Sequence, residues 1–306
     1  MNYKTFDFIK QRTKFFIFSG VITIAGIVVI LFFGMNLGID FSSGTRIDVK
    51  APHEINVDQF QQSIQSIGLN AERPVLSGTN NTIVSVRINK QLNQDEIAQV
   101  KNTVKKQFDV SNSNVNVSTV SPQIGRELAK NAFWAVLISS LCIIVYVWIR
   151  FEFLQGLAAI VALLHDAFII ISVFSLLHLE VNIDFIAAVL TIVGYSINDT
   201  IVTFDRIREN MKLNKKKLRT FEDLAEIVNK SIQQTFVRSV NTVLTVLIAT
   251  VALLIFGGPS IRNFTIALLI GLISGAYSSI FIASPLWAIW KIKAIQKSKK
   301  KPSPSV

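Results

Sequence analysis

Cysteine and histidine are scarce in this sequence. Cys142 is the one cysteine among 306 residues and lies inside an apolar stretch, so the chain cannot form an internal disulfide. The three histidines, His53, His165 and His178, stand in no metal-ligand or nucleophile spacing. We therefore expect no enzyme active site, no metal site and no cofactor.

Acidic residues are also few, because 20 Asp and Glu stand against 31 Lys and Arg, giving a formal net charge of +11. Half of the residues are nevertheless apolar, and Phe alone occurs 22 times. This combination is typical of a membrane protein. A helix needs about 20 mostly apolar residues to cross about 30 Å of hydrocarbon. Six stretches qualify, and we predict spans at residues 15–33, 132–149, 154–177, 183–204, 240–256 and 264–290.

Lys and Arg cluster in the two terminal tails and in the connection between the fourth and fifth spans, whereas the short loops on the opposite side hold at most one. Positive residues near span ends stay in the cytoplasm, so we expect both termini there. The excess charge then reflects topology and contact with membrane lipids, and no nucleic acid is needed to explain it. We interpret the first span as a retained helix, because its apolar run is too long for a cleaved signal.

The chain divides into tails at residues 1–14 and 291–306, a first span at 15–35, an extracytoplasmic domain at 36–130, and the other spans at 131–290. In the outer domain we predict strands at 45–51, 72–76, 82–88 and 115–120, helices at 57–67 and 95–108, and a hairpin turn around 77–81. The order strand, helix, strand, strand, helix, strand is that of a ferredoxin-like α+β domain.

The cytoplasmic connection, residues 205–238, has a capping-box pattern from Thr220 to Asp223 that predicts a helix start. This helix is either amphipathic along the inner leaflet or simply packed on the protein. In the first case its basic anchors are Lys212, Lys215, Lys216, Lys217 and Arg219. In the last span, Gly271 and Gly275 predict a close helix–helix contact.

Two carboxylates fall at membrane depth, where a charge costs about 2.5–3.5 kcal/mol. Asp199 lies six residues before Asp205, which places it about 9 Å inside the hydrocarbon. Asp166 lies near the middle of its span, beside His165. Glu180 and Asp184 are predicted loop residues at the outer surface.

The fifth span offers a matching polar face, formed by Arg238, Asn241, Thr242 and Thr245 at helical spacing. A buried Asp tends to hold its proton, and a nearby Arg favours its release, so Asp199 near Arg238 can bind and release protons. The alternative is a static Asp199–Arg238 pair that joins two helices. For Asp166, neutralisation by His165 or a facing hydroxyl without transport is equally open.

Residues 193–210 read VGYSINDTIVTFDRIREN, which closely resembles the fourth-span signature of the SecF family of bacterial protein-export membrane proteins. Residues 38–44 read GIDFSSG and match the family's Gly-x-Asp-Phe-x-Gly-Gly segment. The matching residues are Gly38, Asp40, Phe41 and Gly44. Ser43 replaces the first glycine of the pair, which puts a very tight turn there in question. Residues 165–166, 234–239 and 256–259 fit the third and fifth spans, so the resemblance covers nearly the whole chain.

The resemblance implies an α-helical, six-span half of the resistance-nodulation-division type that acts with SecD beside the SecYEG channel in the bacterial inner membrane. YajC and YidC are further candidate partners. Such complexes use the proton gradient to move unfolded preproteins outward. By this resemblance Asp199 is the proton-binding carboxylate, and the pathway around it includes Arg238, Thr242, Asp166, Tyr195, Ser196 and Asn198. A half-size exporter of a small hydrophobic molecule and a non-transporting scaffold subunit are the alternatives.

Overall fold

The structure, a computed structural model, describes residues 6–77, 82–214 and 220–299. Its helices are α1 (Arg12–Phe33), α2 (Ile39–Ser42), α3 (Val57–Ser66), α4 (Gln94–Phe108), α5 (Pro122–Arg150), α6 (Phe153–Leu176), α7 (Ile183–Leu213), α8 (Phe221–Phe256), α9 (Arg262–Ser278) and α10 (Ser284–Lys299). Its strands are β1 (Asn36–Leu37), β2 (Gly44–Lys50), β3 (Val75–Ser77), β4 (Ile83–Ile88), β5 (Val115–Val120) and β6 (Glu180–Val181).

Six helical segments in the described ranges are long and apolar enough to cross a membrane: α1, α5, α6, α7, α8 and the segment Arg262–Gln296. The last one joins α9 to α10 through a π-helical turn at Ser279–Ala283. These six segments coincide with the six predicted spans, in the predicted order. The helices are longer than the apolar runs, since α5 begins at Pro122 with Ser121 as its N-cap and α7 continues to Leu213.

The helix predicted after Thr220 does begin there, with the reciprocal bonds of a capping box between Thr220 and Asp223. It is not a separate helix along the inner leaflet, however, because it is the first part of α8, which continues unbroken to Phe256. Leu224 and Val228 are buried in the same apolar cluster as Trp287, so packing on the protein decides its position. Of the proposed basic anchors, Lys212 lies in the last turn of α7, whereas Lys215, Lys216, Lys217 and Arg219 lie outside the described residues.

The last span is the centre of the bundle, since α9 contacts α6, α7 and α8. Of its apolar window 61% is buried, against 6% for α5, which lies at the periphery. The predicted glycine contact is present on α9. A Cβ atom at Gly271 would lie 2.5 Å from Ile192 Cγ1, and one at Gly275 would lie 3.2 Å from Ser196 Cβ. These glycines let α9 approach α7 closely.

We expect Gly271→Ala to destabilise the bundle by about 1–3 kcal/mol, because the added methyl group overlaps Ile192. The measurement is the thermal unfolding midpoint of the full chain in detergent. Gly20→Ala in α1 is the matched control, since no atom lies within 4 Å of its added Cβ. Equal midpoints for the two variants would contradict the close contact.

The outer domain contains a four-stranded antiparallel sheet in the order β3-β4-β2-β5, with α3 and α4 packed on it. The predicted order of strands and helices is present. The strand predicted at 72–76 is shifted to Val75–Ser77, because Pro74 cannot donate to the sheet. Residues 78–81 of the predicted hairpin turn lie outside the described part of the chain.

The outer domain is joined to the membrane helices through the segment after α1. β1 pairs with β6, which lies between α6 and α7, and Gly38 N–H donates to the Val181 carbonyl at 2.8 Å. Asp40 Oδ2 accepts the Ile183 N–H at 3.0 Å at the start of α7. Phe41 packs in the apolar cluster at this end of the bundle. We call this contact region the joint.

Glu180 and Asp184 are therefore not in an irregular loop, because Glu180 lies in β6 and Asp184 in the first turn of α7. Glu180 bonds Arg46 of the outer sheet at 3.3 Å, and Arg46 also bonds Asp48 at 2.9 Å. Burial alone would lower the pKa of Arg46, but these two carboxylates outweigh it and raise the pKa above its usual value. The guanidinium stays charged and ties the sheet to the joint.

The tight turn between α2 and β2 forms even though Ser43 replaces the usual glycine, because the Ser43 backbone adopts a strained conformation. Ser43 adopts φ 62° and ψ 168°, a region that favours glycine. Gly44 follows at φ 127°, where a Cβ would lie 2.6 Å from the Ile88 carbonyl oxygen. The close approach of β2 to Ile88 holds the turn in this conformation.

We expect Ser43→Gly to stabilise the outer domain by about 1–3 kcal/mol, the usual cost of such backbone strain. Hydrogen exchange of the β2 amides in the full chain measures the change. Ser42→Gly serves as the control, because Ser42 ends the helix α2 and has no positive φ. Slower exchange in both variants, or in neither, would refute the strain at Ser43.

Candidate functional site

Asp199 lies on α7 where this helix meets α8. Ser239 Oγ donates a hydrogen bond to Asp199 Oδ1 at 2.5 Å, and Ser239 is 2% exposed. The other oxygen, Asp199 Oδ2, is buried and has no hydrogen-bond partner among the described residues. One oxygen is thus held in place while the other is open to accept a proton.

Arg238 does not form the static pair considered for Asp199, since no ion pair within 4.0 Å joins these two residues, both of which the structure describes. Its neighbour Ser239 faces Asp199 instead, because successive residues on a helix point about 100° apart. Tyr195 Oη donates to the Thr242 carbonyl at 3.0 Å. The Thr242 hydroxyl bonds its own helix, to the Arg238 carbonyl at 2.8 Å.

The predicted polar face of the fifth span points away from the bundle. Its members are exposed on the surface of this chain together with one residue of α7: Arg238, Asn241, Thr242, Thr245 and Asn198. A charged and polar stripe is costly against hydrocarbon. The stripe therefore marks a surface that requires another protein or water beside it.

Asp166 on α6 is only 1% exposed and is enclosed by hydroxyl groups. Ser196 and Ser278 donate to its Oδ2, and Ser274 donates to its Oδ1, each at 2.7 Å. His165 Nδ1 lies 3.4 Å from Oδ1. Three hydroxyl donors satisfy this carboxylate without an Arg or Lys partner, in contrast to the half-satisfied Asp199.

A cavity of about 10 Å³, enough for one water molecule, lies beside Asp199. Ser196, which is bonded to Asp166, lines it together with Asp199, Tyr195 and Gly275. The structure thus brings Asp166, Ser196, Tyr195 and Asp199 into one site. Arg238, Asn198 and the Thr242 side chain lie outside it, on the exposed stripe.

Sequence reasoning missed three serines of the site: Ser239, Ser274 and Ser278. Ser274 and Ser278 are four residues apart on α9, and this spacing could have indicated a polar face opposite Asp166. No comparable signal selects Ser239 over Arg238. Which of two adjacent residues faces Asp199 depends on the rotation of α8 within the bundle.

We expect Asp166→Asn to destabilise the protein by about 1–3 kcal/mol, because an amide group would present its own donors to hydroxyls that already donate. Asp199→Asn is the matched comparison and should change stability by no more than about 0.5 kcal/mol, since an amide oxygen can still accept from Ser239. Thermal unfolding in detergent measures both. A stable Asp166→Asn variant would exclude a structural role for the hydroxyl cage.

The class of the molecule follows from these features. It is a polytopic membrane protein with six apolar helices, an α+β domain between the first and second of them, and two carboxylates in the bundle, Asp166 buried and Asp199 partly buried.

Comparison with known families narrows this class. Residues 80–293 match the family described as "Protein export membrane protein SecD/SecF, C-terminal", and residues 28–51 match the "SecD/SecF GG Motif". The chain belongs to the SecD/SecF family.

Two relatives show how the chain compares in length. It is 46% identical to the protein translocase subunit SecF of Alicyclobacillus acidocaldarius, over 96% of this chain and 95% of that protein. It is 52% identical to the protein translocase subunit SecDF of Bacillus subtilis, over 96% of this chain but 39% of that protein. The chain thus spans about two fifths of the SecDF relative and nearly all of the SecF relative.

Solved structures agree with this assignment. A crystal structure of SecDF, a translocon-associated membrane protein from Thermus thermophilus, superposes with a TM-score of 0.84 at 36% identity, covering 94% of this chain and 38% of that chain. SecDF in a super-membrane-facing form gives a TM-score of 0.69 at 35% identity, covering 97% and 40%.

Proposed function

We propose that this chain is the SecF-type auxiliary subunit of a Sec protein translocase, and that proton binding at Asp199 contributes to late steps of preprotein export. The observation that carries the proposal is the Asp199 carboxylate. One of its oxygens accepts a hydrogen bond from Ser239, and the other is buried without a hydrogen-bond partner among the described residues. The SecF relative that this chain matches over 95% of its length is named a protein translocase subunit, which supports the assignment as a translocase subunit. No enzyme reaction is needed for this function.

The partner we propose is SecD. SecDF relatives contain about two and a half times the length of this chain, which leaves room for a second half. The exposed stripe, with Arg238 and Thr242, is the surface that such a half would cover, and its burial would strengthen the interaction of the Arg238 charge with Asp199. SecYEG, YajC and YidC are further proposed partners, and unfolded preproteins are the proposed substrate.

Coupling would run along α7. This helix carries Ser196 and Asp199 in the bundle, and its first residue is bonded to Asp40 of the joint. A change of charge at Asp199 alters its bond to Ser239, and a shift of α7 would then move the joint and the outer domain. One charge crossing 100 mV supplies about 2.3 kcal/mol, several times the thermal energy.

We also propose a bacterial inner-membrane location with both termini and residues 205–238 cytoplasmic and residues 36–130 outside. Positive charge near the span ends supports this orientation. The outer domain is proposed to be ferredoxin-like, and the sheet order β3-β4-β2-β5 supports that description.

We expect Asp199→Asn to leave assembly with SecD unchanged and to abolish the dependence of export on the proton gradient, because the amide keeps the shape but cannot titrate. Export into inverted membrane vesicles, with and without an uncoupler, measures this. Asp184→Asn, the same change near the outer end of α7, is the control and should export normally. Export by Asp199→Asn that still falls with the uncoupler would overturn the proton-binding role.

A further inference from the structure

A second set of polar side chains continues from Asp199 along the contact of α7 and α8, towards the end where these helices are connected. On α7, Thr203, Arg206 and Asn210 follow Asp199 at intervals of four, three and four residues, so all four share one face. On α8 the opposite face carries Ser239, Thr235, Gln234 and Ser231. We call these residues the polar column.

Both ends of the column are bonded from helix to helix. At the Asp199 end the bond comes from Ser239. At the other end Asn210 Nδ2 donates to Ser231 Oγ and to Gln234 Oε1, each at 2.8 Å. Arg206 Nε donates to the same Gln234 oxygen at 2.7 Å, and its side chain is 37% exposed, so the column reaches water there.

The middle of the column behaves differently. Thr203 is 1% exposed, and its hydroxyl has no hydrogen-bond partner in the described part of the chain. Thr235, also in the middle, donates only to carbonyls of its own helix, at Ser231 and Ile232. A buried hydroxyl without a partner is unfavourable, and valine would fill the same volume without that penalty. Hydrogen bonding between the helices explains why Asn210 and Gln234 are polar, but it does not explain the hydroxyl group at Thr203.

We propose that the Thr203 hydroxyl is a relay position through which protons leave Asp199 towards the α7–α8 connection. This rests on the proposed proton binding at Asp199. In each step Thr203 Oγ1 accepts the incoming proton and its own hydroxyl proton passes onward, so the side chain ends unchanged. One helical turn separates Asp199 from Thr203, about 5–6 Å, which is longer than a hydrogen bond. A water molecule bridges each gap when the relay conducts.

The test is proton entry into liposomes that contain the full chain together with its SecD subunit and a trapped pH-sensitive dye, driven by an imposed pH gradient. We expect Thr203→Val to slow entry about tenfold, the order of effect of losing one hydrogen-bonded step. Thr203→Ser keeps the hydroxyl and should retain most of the flux.

Thr250→Val is the matched control. Thr250 is 2% exposed, lies on α8 away from the column, and bonds only the Val246 carbonyl of its own helix. Its flux should equal that of the unmodified protein. Thermal unfolding midpoints of all variants check that none is misfolded.

The outcomes separate this inference from the proposed function. If Asp199→Asn abolishes the flux while Thr203→Val conducts normally, the relay at Thr203 is overturned and the role of Asp199 stands. If Asp199→Asn conducts normally, the proposed function itself fails. Equal losses in Thr203→Val and Thr203→Ser would show a packing effect and overturn the relay.

Discussion

The placement of two carboxylates among apolar helices, Asp166 buried and Asp199 partly buried, is the constraint on which the rest of the bundle depends. Neither has an Arg or Lys partner within 4.0 Å in the described ranges, so hydroxyl groups must satisfy them. For Asp166 this requires α7 and α9 at hydrogen-bonding distance on both sides. Gly271 and Gly275 permit that approach, since a Cβ at the first would collide with Ile192 and one at the second would crowd Ser196.

The two carboxylates differ in how far their oxygens are satisfied by hydrogen bonds. Asp166 is bonded on both oxygens and favours one fixed arrangement of three helices, whereas Asp199 has an open oxygen beside a cavity. The first residue of α7 is bonded to Asp40 of the joint, so this helix is connected to the outer domain directly.

Much of the fold could be predicted because spans and strands are local patterns. Six apolar runs gave six helices, and alternating residues gave four strands, with one shift caused by Pro74. The site was harder. Asp199, Asp166 and Ser196 were named from depth and motif, and Ser196 bonds Asp166 and lines a small cavity together with Asp199. The fifth-span face of Arg238 and Thr242, in contrast, points outward. Helical spacing shows which residues share a face, not which direction that face takes in the bundle.

The sequence by itself determined the membrane class, the number of spans, the elements of the outer domain and the presence of costly carboxylates, since each depends on composition or short-range spacing. Only the tertiary structure decided which groups satisfy those carboxylates: three serines around Asp166, and Ser239 rather than Arg238 beside Asp199. It also decided that α8 continues unbroken from Thr220 and that Ser43 accepts a strained turn. The physical reason is common to these cases, because long-range packing fixes helix rotation and imposes conformations that local preference disfavours.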